Sequence, residues 1–166
     1  MNMEVSAVCW ESPLGWISVG ASDVAIVRLS FGEERPSEAP LFSDHPLLTL
    51  AMKQVHAWFD GRLTHFDLPL VPEGTPFQRR VWDELLRIPY GVTISYLELA
   101  RRLGDEKCIR AAAAANGRNP VGLIIPCHRV IGNTGKLVGY AGGLWRKQWL
   151  LQHETQHSPI PEGRLF

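Results

Sequence analysis

Cysteine is scarce in this chain of 166 residues, which contains only Cys9, Cys108 and Cys127. The three form no CxxC pair, so the sequence gives no sign of a cysteine zinc site or of a redox dithiol. Because their number is odd, we expect at least one thiol to be free.

Long hydrophobic runs are also missing. No apolar stretch approaches the roughly 18 to 20 residues that a membrane-spanning helix needs. The start, MNMEVSAVCWESP, lacks the basic and then apolar plan of a signal peptide. We therefore expect a cytoplasmic protein with no membrane partner. With 45% hydrophobic and 20% charged residues, the chain has the composition of a globular protein of one domain or two small ones.

Net charge is absent as well, but the two signs are segregated along the chain. Residues 1–75 carry four basic and ten acidic side chains, a net charge of −6, whereas residues 76–150 carry twelve basic and five acidic side chains, a net charge of +7. This division indicates that one face meets a polyanion. On charge alone, a random scatter of solvated side chains remains an alternative.

The pattern of residues 1–74 predicts a small α/β domain. Three short apolar runs, EVSAVCW, GWISVG and DVAIVRLS, are separated by turn-forming residues and predict a small antiparallel sheet. Apolar residues recur at helical spacing from Leu47 to Phe59 and predict one amphipathic helix packed on that sheet. A last short strand, THFDLPL, is expected before the linker VPEGT.

Residues 75–166 predict a mainly helical domain with a winged helix-turn-helix. Capping boxes at Thr75 and Ser95 begin two helices, of which the first is expected to run to Ile88. The segment EKCIRAAAAANG forms a third helix, whose five consecutive alanines leave an almost bare surface. Its spacing from the second helix is typical of a helix-turn-helix.

Two further elements complete this second domain. A Gly-rich hairpin or wing is expected in VIGNTGKLVGY, followed by a last helix, GLWRKQWLLQHE. We expect Trp145 and Trp149 of that helix to lie in the core. The tail TQHSPIPEGRLF is expected to be loosely ordered.

Cys127, in the stretch IIPCHRV, is the strongest candidate for chemistry. A thiol reacts as its thiolate, and a neighbouring imidazole or cation lowers its pKa from about 8.5. In a plain strand the side chains of Cys127 and His128 would point to opposite faces. Either the chain bends after Pro126 or a water links the two groups. Taken alone, Pro-Cys-His is a weak motif, and Cys127 fits a small buried residue equally well.

Five blocks of the sequence carry a family resemblance: GTPFQRRVW, IPYGVTISYLELARRLG, IRAAAAANGRNP, IIPCHRVIG and GKLVGYAGGLWRKQWLL. In this order and at these spacings they resemble the O6-alkylguanine-DNA alkyltransferases. The match is dense over about residues 73–154, while residues 1–72 match only in layout. The resemblance implies DNA repair in which the alkyl group of O6-alkylguanine, and of O4-alkylthymine, moves once to the protein's own cysteine, without a cofactor.

The same resemblance implies how DNA is bound. The partner is double-stranded DNA, entered from the minor groove by the helix-turn-helix, with the target nucleotide flipped out of the stack. A monomer in solution is expected, and cooperative binding along DNA stays open. Some relatives hold zinc in the amino-terminal domain, but this chain has only Cys9 there, so we expect no metal.

Catalytic roles also follow from the resemblance. Cys127 corresponds to the alkyl acceptor, His128 to the base that deprotonates the thiol through a water, and Glu154 to the carboxylate that orients the imidazole. Asn119 corresponds to the residue that fixes the turn between the recognition helix and the cysteine strand. Alternatively, His128 and Glu154 form a buried polar pair that attaches the last helix to the core.

Donors to the departing guanine are expected from two more side chains, because displacement of the base builds negative charge on it. Tyr96 corresponds to a tyrosine that crowds the target phosphate and donates to the base, and Lys147 to a lysine that stabilises the leaving anion. An ordinary core tyrosine and an exposed helix lysine are the alternatives. The substrate pocket is expected to contain Val130, Tyr140 and Ala141. Some relatives have serine at position 141. If the backbone amide of this residue contacts the base, alanine should serve as well as serine, because the contact does not involve the side chain.

The alanine-rich helix is expected to contact DNA, since short side chains admit a helix to the narrow minor groove. Arg110 corresponds to an arginine finger that fills the vacated stack, with a phosphate contact or a solvated charge as the alternative. The residues expected to contact DNA are Arg110, Ala111, Ala114, Ala115, Asn116 and Gly117.

Three rival functions are weaker. A lesion sensor of the same fold would lack the acceptor cysteine, which this chain has at Cys127. A transcription regulator would need more base-reading side chains than EKCIRAAAAANG offers. A thiol hydrolase would need an oxyanion hole and a turnover step that nothing in the sequence indicates.

Overall fold

The computed structural model describes residues 4–158, which fall into two compact units. The first contains the described residues up to Glu73 together with Pro120–Ile124, and the second contains Gly74–Asn119 and the described residues from Ile125 onward. The sequence did not indicate that Pro120–Ile124 belongs with the amino-terminal residues. None of the helices within residues 4–158 is long and apolar enough to cross a membrane.

The first unit is a three-stranded antiparallel sheet covered by one helix, as predicted. Strands β1 (Ser6–Ser12), β2 (Gly15–Ala21) and β3 (Ile26–Gly32) pair in the order β1-β2-β3. Helix α1 (Pro46–Phe59) contacts β2. The buried residues of α1 recur at helical spacing, and this face covers the sheet. They are Leu48, Ala51, Val55 and Trp58.

The predicted strand THFDLPL is wrong in extent. Within the described residues this segment makes one isolated parallel bridge, between Leu70 and Ile26. Pro69 in this segment and Pro72, two residues after its end, lack backbone N–H donors, so the bridge does not extend into a regular ladder. A second bridge pairs Leu29 of β3 with Val121, which is how Pro120–Ile124 joins the sheet of this unit.

The second unit is mainly helical, which confirms the predicted fold class. Its elements are α2 (Pro76–Leu85), β4 (Ile94–Ser95), α3 (Tyr96–Arg102), α4 (Ile109–Gly117), β5 (Val130–Ile131) and α5 (Leu144–His157). The capping box at Thr75 is formed in both directions with Gln78, at 3.1 and 3.0 Å. Helix α2 ends at Leu85 instead of Ile88, because the chain tightens into turns ahead of Pro89.

Helices α3 and α4 form the helix-turn-helix. The Ser95 hydroxyl accepts from the backbone N–H of Glu98, while the Glu98 carboxylate bonds to Arg102 at 3.2 Å. The first turn of the predicted third helix is a 3₁₀ turn, Glu106–Cys108, so the α-helix itself begins at Ile109.

Of the expected hairpin or wing, the Gly-rich turn is formed, because the backbone N–H of Gly132 donates to the carbonyl of Lys136 at 2.8 Å. Strand β5 pairs in parallel with β4, and residues 132–143 contain no second strand. Gly135 and Gly139 have φ angles of 82° and 54°, values that interrupt an extended strand.

Two expectations for α5 are also corrected. The helix continues to His157, so the first residues of the predicted loose tail are helical, and residues 159–166 lie outside the described part. Trp145 is 49% exposed and is not a core residue. It lies about 200° around the helix from Lys147, which is on the buried face. Trp149 is half-buried and stacks on His153, with ring centroids 5.1 Å apart.

Candidate active site

Cys127 begins a single 3₁₀ turn, Cys127–Arg129, that follows Pro126. The expected cysteine strand is therefore wrong, because the chain bends directly after Pro126. The turn ends where β5 begins at Val130, and Cys127 is 6% exposed. Its side chain is thus buried at the junction between a tight turn and a short strand.

Glu154 lies at the centre of a buried hydrogen-bonded cluster. Its Oε2 atom is 2.6 Å from Nε2 of His128, and both carboxylate oxygens accept from the Arg129 guanidinium, at 2.8 and 3.0 Å. The backbone N–H of Gly91 also donates to Oε1. Burial alone would raise the pKa of Glu154, but attraction and hydrogen bonds from His128 and Arg129 lower it to about 2. The carboxylate is therefore ionised at neutral pH.

The imidazole of His128, unlike the ionised carboxylate of Glu154, is kept neutral by burial. Burial lowers the pKa of His128, Glu154 opposes that shift, and the cations Arg129 and Lys147 add to it. When Nε2–H donates to Glu154, the Nδ1 lone pair is left as an acceptor. Nδ1 is buried and has no hydrogen-bond partner among the described residues. The arrangement provides a neutral base beside the cysteine.

The Cys127 thiol needs such a base. Burial raises its pKa, although a hydrogen bond from the Asn119 side chain and the charge of Lys147 act in the other direction. Asn119 also donates from Nδ2 to the carbonyl of Ile125, at 2.8 Å. One amide thus holds both the backbone ahead of the cysteine and the sulfur itself.

Lys147 and Tyr96 hold the carbonyl groups around the cysteine. The fully buried ammonium of Lys147 donates to the carbonyls of Val130, Val138 and Gly139 at 2.7, 2.9 and 3.2 Å. Burial lowers its pKa to about 8, while the nearby Cys127 opposes that shift. The Tyr96 hydroxyl donates to the carbonyl of Val138 at 3.2 Å. The alternative of an exposed lysine at position 147 is excluded.

The remaining pocket residues differ in exposure. Val130 is buried, and the hydroxyl of Tyr140 is buried with no hydrogen-bond partner among the described residues. Burial, followed by the nearby Cys127, raises the pKa of Tyr140 well above its usual value, so the phenol stays protonated. Ala141 is exposed.

Helix α4 exposes one face and buries the other. Ala115 and Asn116, which were expected to contact DNA, lie on the buried face, so their side chains are not exposed in the free protein. The helical repeat places them on the side that packs inward, where Asn116 donates from Nδ2 to the Cys127 carbonyl at 3.3 Å. The exposed residues of the helix and its C-cap are Arg110, Ala111, Ala114, Gly117 and Arg118.

Known proteins are similar to this chain over most of its length. The family model described as 6-O-methylguanine DNA methyltransferase, DNA binding domain, matches residues 76–156, and the model of the same methyltransferase's ribonuclease-like domain matches residues 8–72. The chain belongs to the 6-O-methylguanine DNA methyltransferase family. It is 44% identical to a methylated-DNA–protein-cysteine methyltransferase of Mycolicibacterium paratuberculosis, over 90% of this chain and 92% of that protein. The corresponding protein of Methanosarcina barkeri is 45% identical, over 89% and 95%.

Solved structures of the family superpose closely. The crystal structure of O6-methylguanine methyltransferase from Mycobacterium tuberculosis is 41% identical, with a TM-score of 0.83, and the match covers 95% of this chain and 96% of that one. A crystal structure of the Mycobacterium tuberculosis protein in complex with DNA has the same identity and TM-score, over 93% and 96%.

The sequence did not predict the contacts that two residues make in this site. Arg129 lies in the stretch IIPCHRV, but no role in orienting Glu154, 25 residues away, was predicted for it. Asn116 was assigned to the DNA surface instead of to the Cys127 carbonyl. The adjacency of Arg129 to His128 was an available signal for the first, whereas only the packing of α4 reveals the second.

Proposed function

We propose that this protein repairs alkylated DNA by direct reversal, with Cys127 as the alkyl acceptor. The observation that carries the proposal is that His128, the residue after Cys127, is a buried neutral imidazole bonded through Nε2 to the ionised Glu154, with its Nδ1 lone pair unused among the described residues. Such a chain of groups activates a buried thiol, since the base takes the proton and the carboxylate stabilises the resulting imidazolium.

The reaction breaks one bond and forms one. The proton of Cys127 passes by way of a water to Nδ1 of His128, and the sulfur attacks the alkyl carbon of O6-alkylguanine. The bond between that carbon and O6 breaks, and its electron pair stays on the guanine, which leaves as an anion and is then protonated. The sulfur keeps the alkyl group as a thioether, which no group in the site removes. Each molecule therefore acts once.

Stabilisation of the leaving anion falls to Lys147 and Tyr96. In the free protein the ammonium of Lys147 donates hydrogen bonds to three carbonyls. Lys147 therefore stabilises the guanine anion through the electrostatic attraction of its positive charge and not through a direct hydrogen bond. Tyr96 is bonded through its hydroxyl to Val138, and it must exchange that acceptor for the base. The backbone N–H of Ala141 is proposed to donate a hydrogen bond to O6 of the leaving guanine.

DNA is proposed to bind through the exposed face of α4. Its short side chains, Ala111, Ala114 and Gly117, let the helix backbone approach the floor of the minor groove. Arg110 enters the stack as the alkylated nucleotide leaves it. We propose that the protein repairs double-stranded DNA in the cytoplasm and acts as a monomer. O4-alkylthymine is proposed as a second substrate.

Intact mass spectrometry tests the proposal. Incubation with excess duplex containing O6-methylguanine should add one CH₂ unit to the protein, located at Cys127 by peptide mapping, and the product should not accept a second methyl group. Cys127→Ser should gain nothing, whereas the control Cys108→Ser, at a half-buried thiol, should react like the parent. Several turnovers per molecule, or methylation at another residue, would contradict the suicide mechanism.

A further inference from the structure

The turn formed by residues 89–92, between α2 and β4, contacts the buried cluster around Glu154 through its backbone. The N–H of Gly91 donates to Oε1 of Glu154 at 3.1 Å, in a buried hydrogen bond. Just ahead of the turn, the carbonyl of Ile88 accepts from Nη1 of Arg129 at 2.7 Å. One short segment therefore holds both the carboxylate and the guanidinium that is paired with it.

The direction of the Gly91 N–H depends on the type of this turn. The N–H of Val92 donates to the carbonyl of Pro89 at 3.1 Å, which closes a β-turn. Of its two central residues, Tyr90 has a negative φ angle and Gly91 has a φ angle of 78°, the combination of a type II turn. A type I turn needs no positive φ angle, but its central peptide is reversed. In a type I turn the carbonyl of Tyr90 would replace the N–H of Gly91 beside the carboxylate.

Close packing also restricts position 91 to glycine. A Cβ atom on Gly91 would collide with Oγ of Ser158, the residue that ends α5, and would lie 2.6 Å from its Cβ atom. The backbone carbonyl of Glu154 would be 3.6 Å away, which is an ordinary contact. Two requirements therefore coincide at Gly91: the positive φ angle that directs the N–H, and the lack of a side chain against the end of α5.

We propose that Gly91 is a positioning residue for thiol activation, because its backbone N–H fixes the Glu154 carboxylate in the orientation that holds His128. This inference rests on the proposed function. Oε1 accepts from Gly91 and Arg129, while Oε2 lies against Nε2 of His128. A donor on Oε1 prevents rotation of the carboxylate and stabilises its charge. A reversed peptide would place a carbonyl oxygen against that charge, and the carboxylate would turn away from the imidazole.

Variants at Gly91 are compared in a Ser158→Gly background, because removal of the Ser158 side chain makes room for a Cβ atom. In that background Gly91→Ala tests the turn, since alanine disfavours a positive φ angle and shifts the turn toward type I. Gly91→Asn is the matched conservative change, because asparagine adopts a positive φ angle more readily. Ser158→Gly by itself is the control, and thermal melting of each variant is measured in parallel.

The readout is the single-turnover rate of methyl transfer from O6-methylguanine in duplex DNA, over a series of pH values from neutral to alkaline. Gly91→Ala should slow transfer roughly tenfold near neutral pH, the effect of about one hydrogen bond to a charged group. The difference from the control should shrink at high pH, where thiolate forms without a base. Gly91→Asn should react at a rate close to that of the control, and the affinity for DNA should be unchanged in both. A loosened fold would instead lower the rate at every pH.

The effect must also depend on the carboxylate. In Glu154→Gln the charge that the Gly91 N–H stabilises is gone, so adding Gly91→Ala and Ser158→Gly should change the remaining rate little. The parent supplies a measurement that needs no change at Gly91. Its Gly91 amide proton should resonate downfield in the NMR spectrum, and it should move upfield in Glu154→Gln.

Three results would overturn the inference while leaving the proposed function intact. The first is an equal rate near neutral pH for the control and the folded Gly91→Ala variant. The second is the same loss of rate in the Glu154→Gln background as in the parental one. The third, which applies even if Gly91→Ala does not fold, is a Gly91 amide resonance that does not respond to Glu154→Gln. Failure of the parent to accept methyl groups from O6-methylguanine would instead remove the proposed function itself.

Discussion

Glu154 and His128 are held in opposite charge states by one buried cluster. The Arg129 guanidinium, bonded to both oxygens of Glu154, helps to keep the carboxylate ionised, while burial and the nearby cations keep the imidazole neutral. A proton acceptor and the charge that stabilises its protonated form are thereby present before any substrate binds. Little reorganisation is needed when the proton leaves Cys127.

Thiol activation leads to the first prediction. His128→Ala and Glu154→Gln should slow methyl transfer strongly near neutral pH, because the burial-raised pKa of Cys127 leaves the thiol protonated without its base. Part of the rate should return at higher pH, where thiolate forms unaided. A pH series of single-turnover rates checks this. If both folded variants melt far below the parent yet transfer at the parental rate, the pair is structural only.

Acid stability gives a second prediction. The pKa of Glu154 is lowered from its usual 4.5 to about 2 in the folded protein, so its stabilisation is complete above about pH 4.5 and is lost as the pH falls toward 2. The difference in unfolding free energy between the parent and Glu154→Gln should therefore shrink between these pH values. Urea unfolding at several pH values measures it. The control Glu106→Gln, at an exposed pair with Arg101, should differ little from the parent at any pH, and a constant difference for Glu154→Gln would contradict the assignment.

At the scale of elements, the bare face of α4 is the feature most directly tied to DNA. Ala114→Leu should weaken duplex binding at least tenfold, because a branched side chain on the exposed face keeps the helix backbone away from the groove floor. Leucine is nearly as good a helix former as alanine, so thermal melting should change little. Titration of labelled duplex measures the affinity. Parental affinity in the folded variant would show that this face does not enter the groove.

Arg110 carries a prediction about base flipping. Arg110→Ala should slow repair in duplex DNA strongly, because filling the vacated stack offsets an unstacking cost of a few kcal/mol. Reaction with the free alkylated base should stay nearly parental. Parallel rates on the two substrates provide the measurement, and the exposed Arg118→Ala serves as a control for simple loss of positive charge. Equal losses on both substrates would assign Arg110 to the pocket or to folding.

For the whole molecule, the segregated charges predict where DNA binds. The net charge of +7 over residues 76–150 contrasts with −6 over residues 1–75, so affinity should reside in the later segment. It should also fall as salt rises, because neutralised phosphates release counterions. Affinity measured over a salt series and cross-link mapping check both points. Binding that is independent of salt, or cross-links mainly within residues 1–70, would contradict this view.

Local rules in the sequence determined most of the secondary-structure elements. Apolar periodicity gave β1 to β3 and α1, and the capping residues Thr75 and Ser95 gave the starts of α2 and α3. The stretch IIPCHRV pointed to Cys127 as a candidate, and the family resemblance of the five sequence blocks assigned it the acceptor role and His128 the role of base. Errors arose where pairing partners decide the outcome. The predicted strand THFDLPL makes only one bridge, with Pro69 inside it and Pro72 just beyond it, and residues 132–143 contain no second strand for the expected hairpin.

Tertiary structure alone decided which polar groups meet. The sequence placed Asn116 on the DNA surface because of its position beside Ala114 and Ala115, but the packing of α4 turns its amide toward the Cys127 carbonyl. Likewise, twelve basic residues in the second segment suggested one cationic surface, whereas Arg129, Arg146 and Lys147 are buried and bonded within the protein. The composition gives the number of charged residues, and the periodicity of apolar residues predicts which face of a helix is buried. Neither specifies which polar side chains meet in the folded protein, because that depends on contacts between residues far apart in the chain.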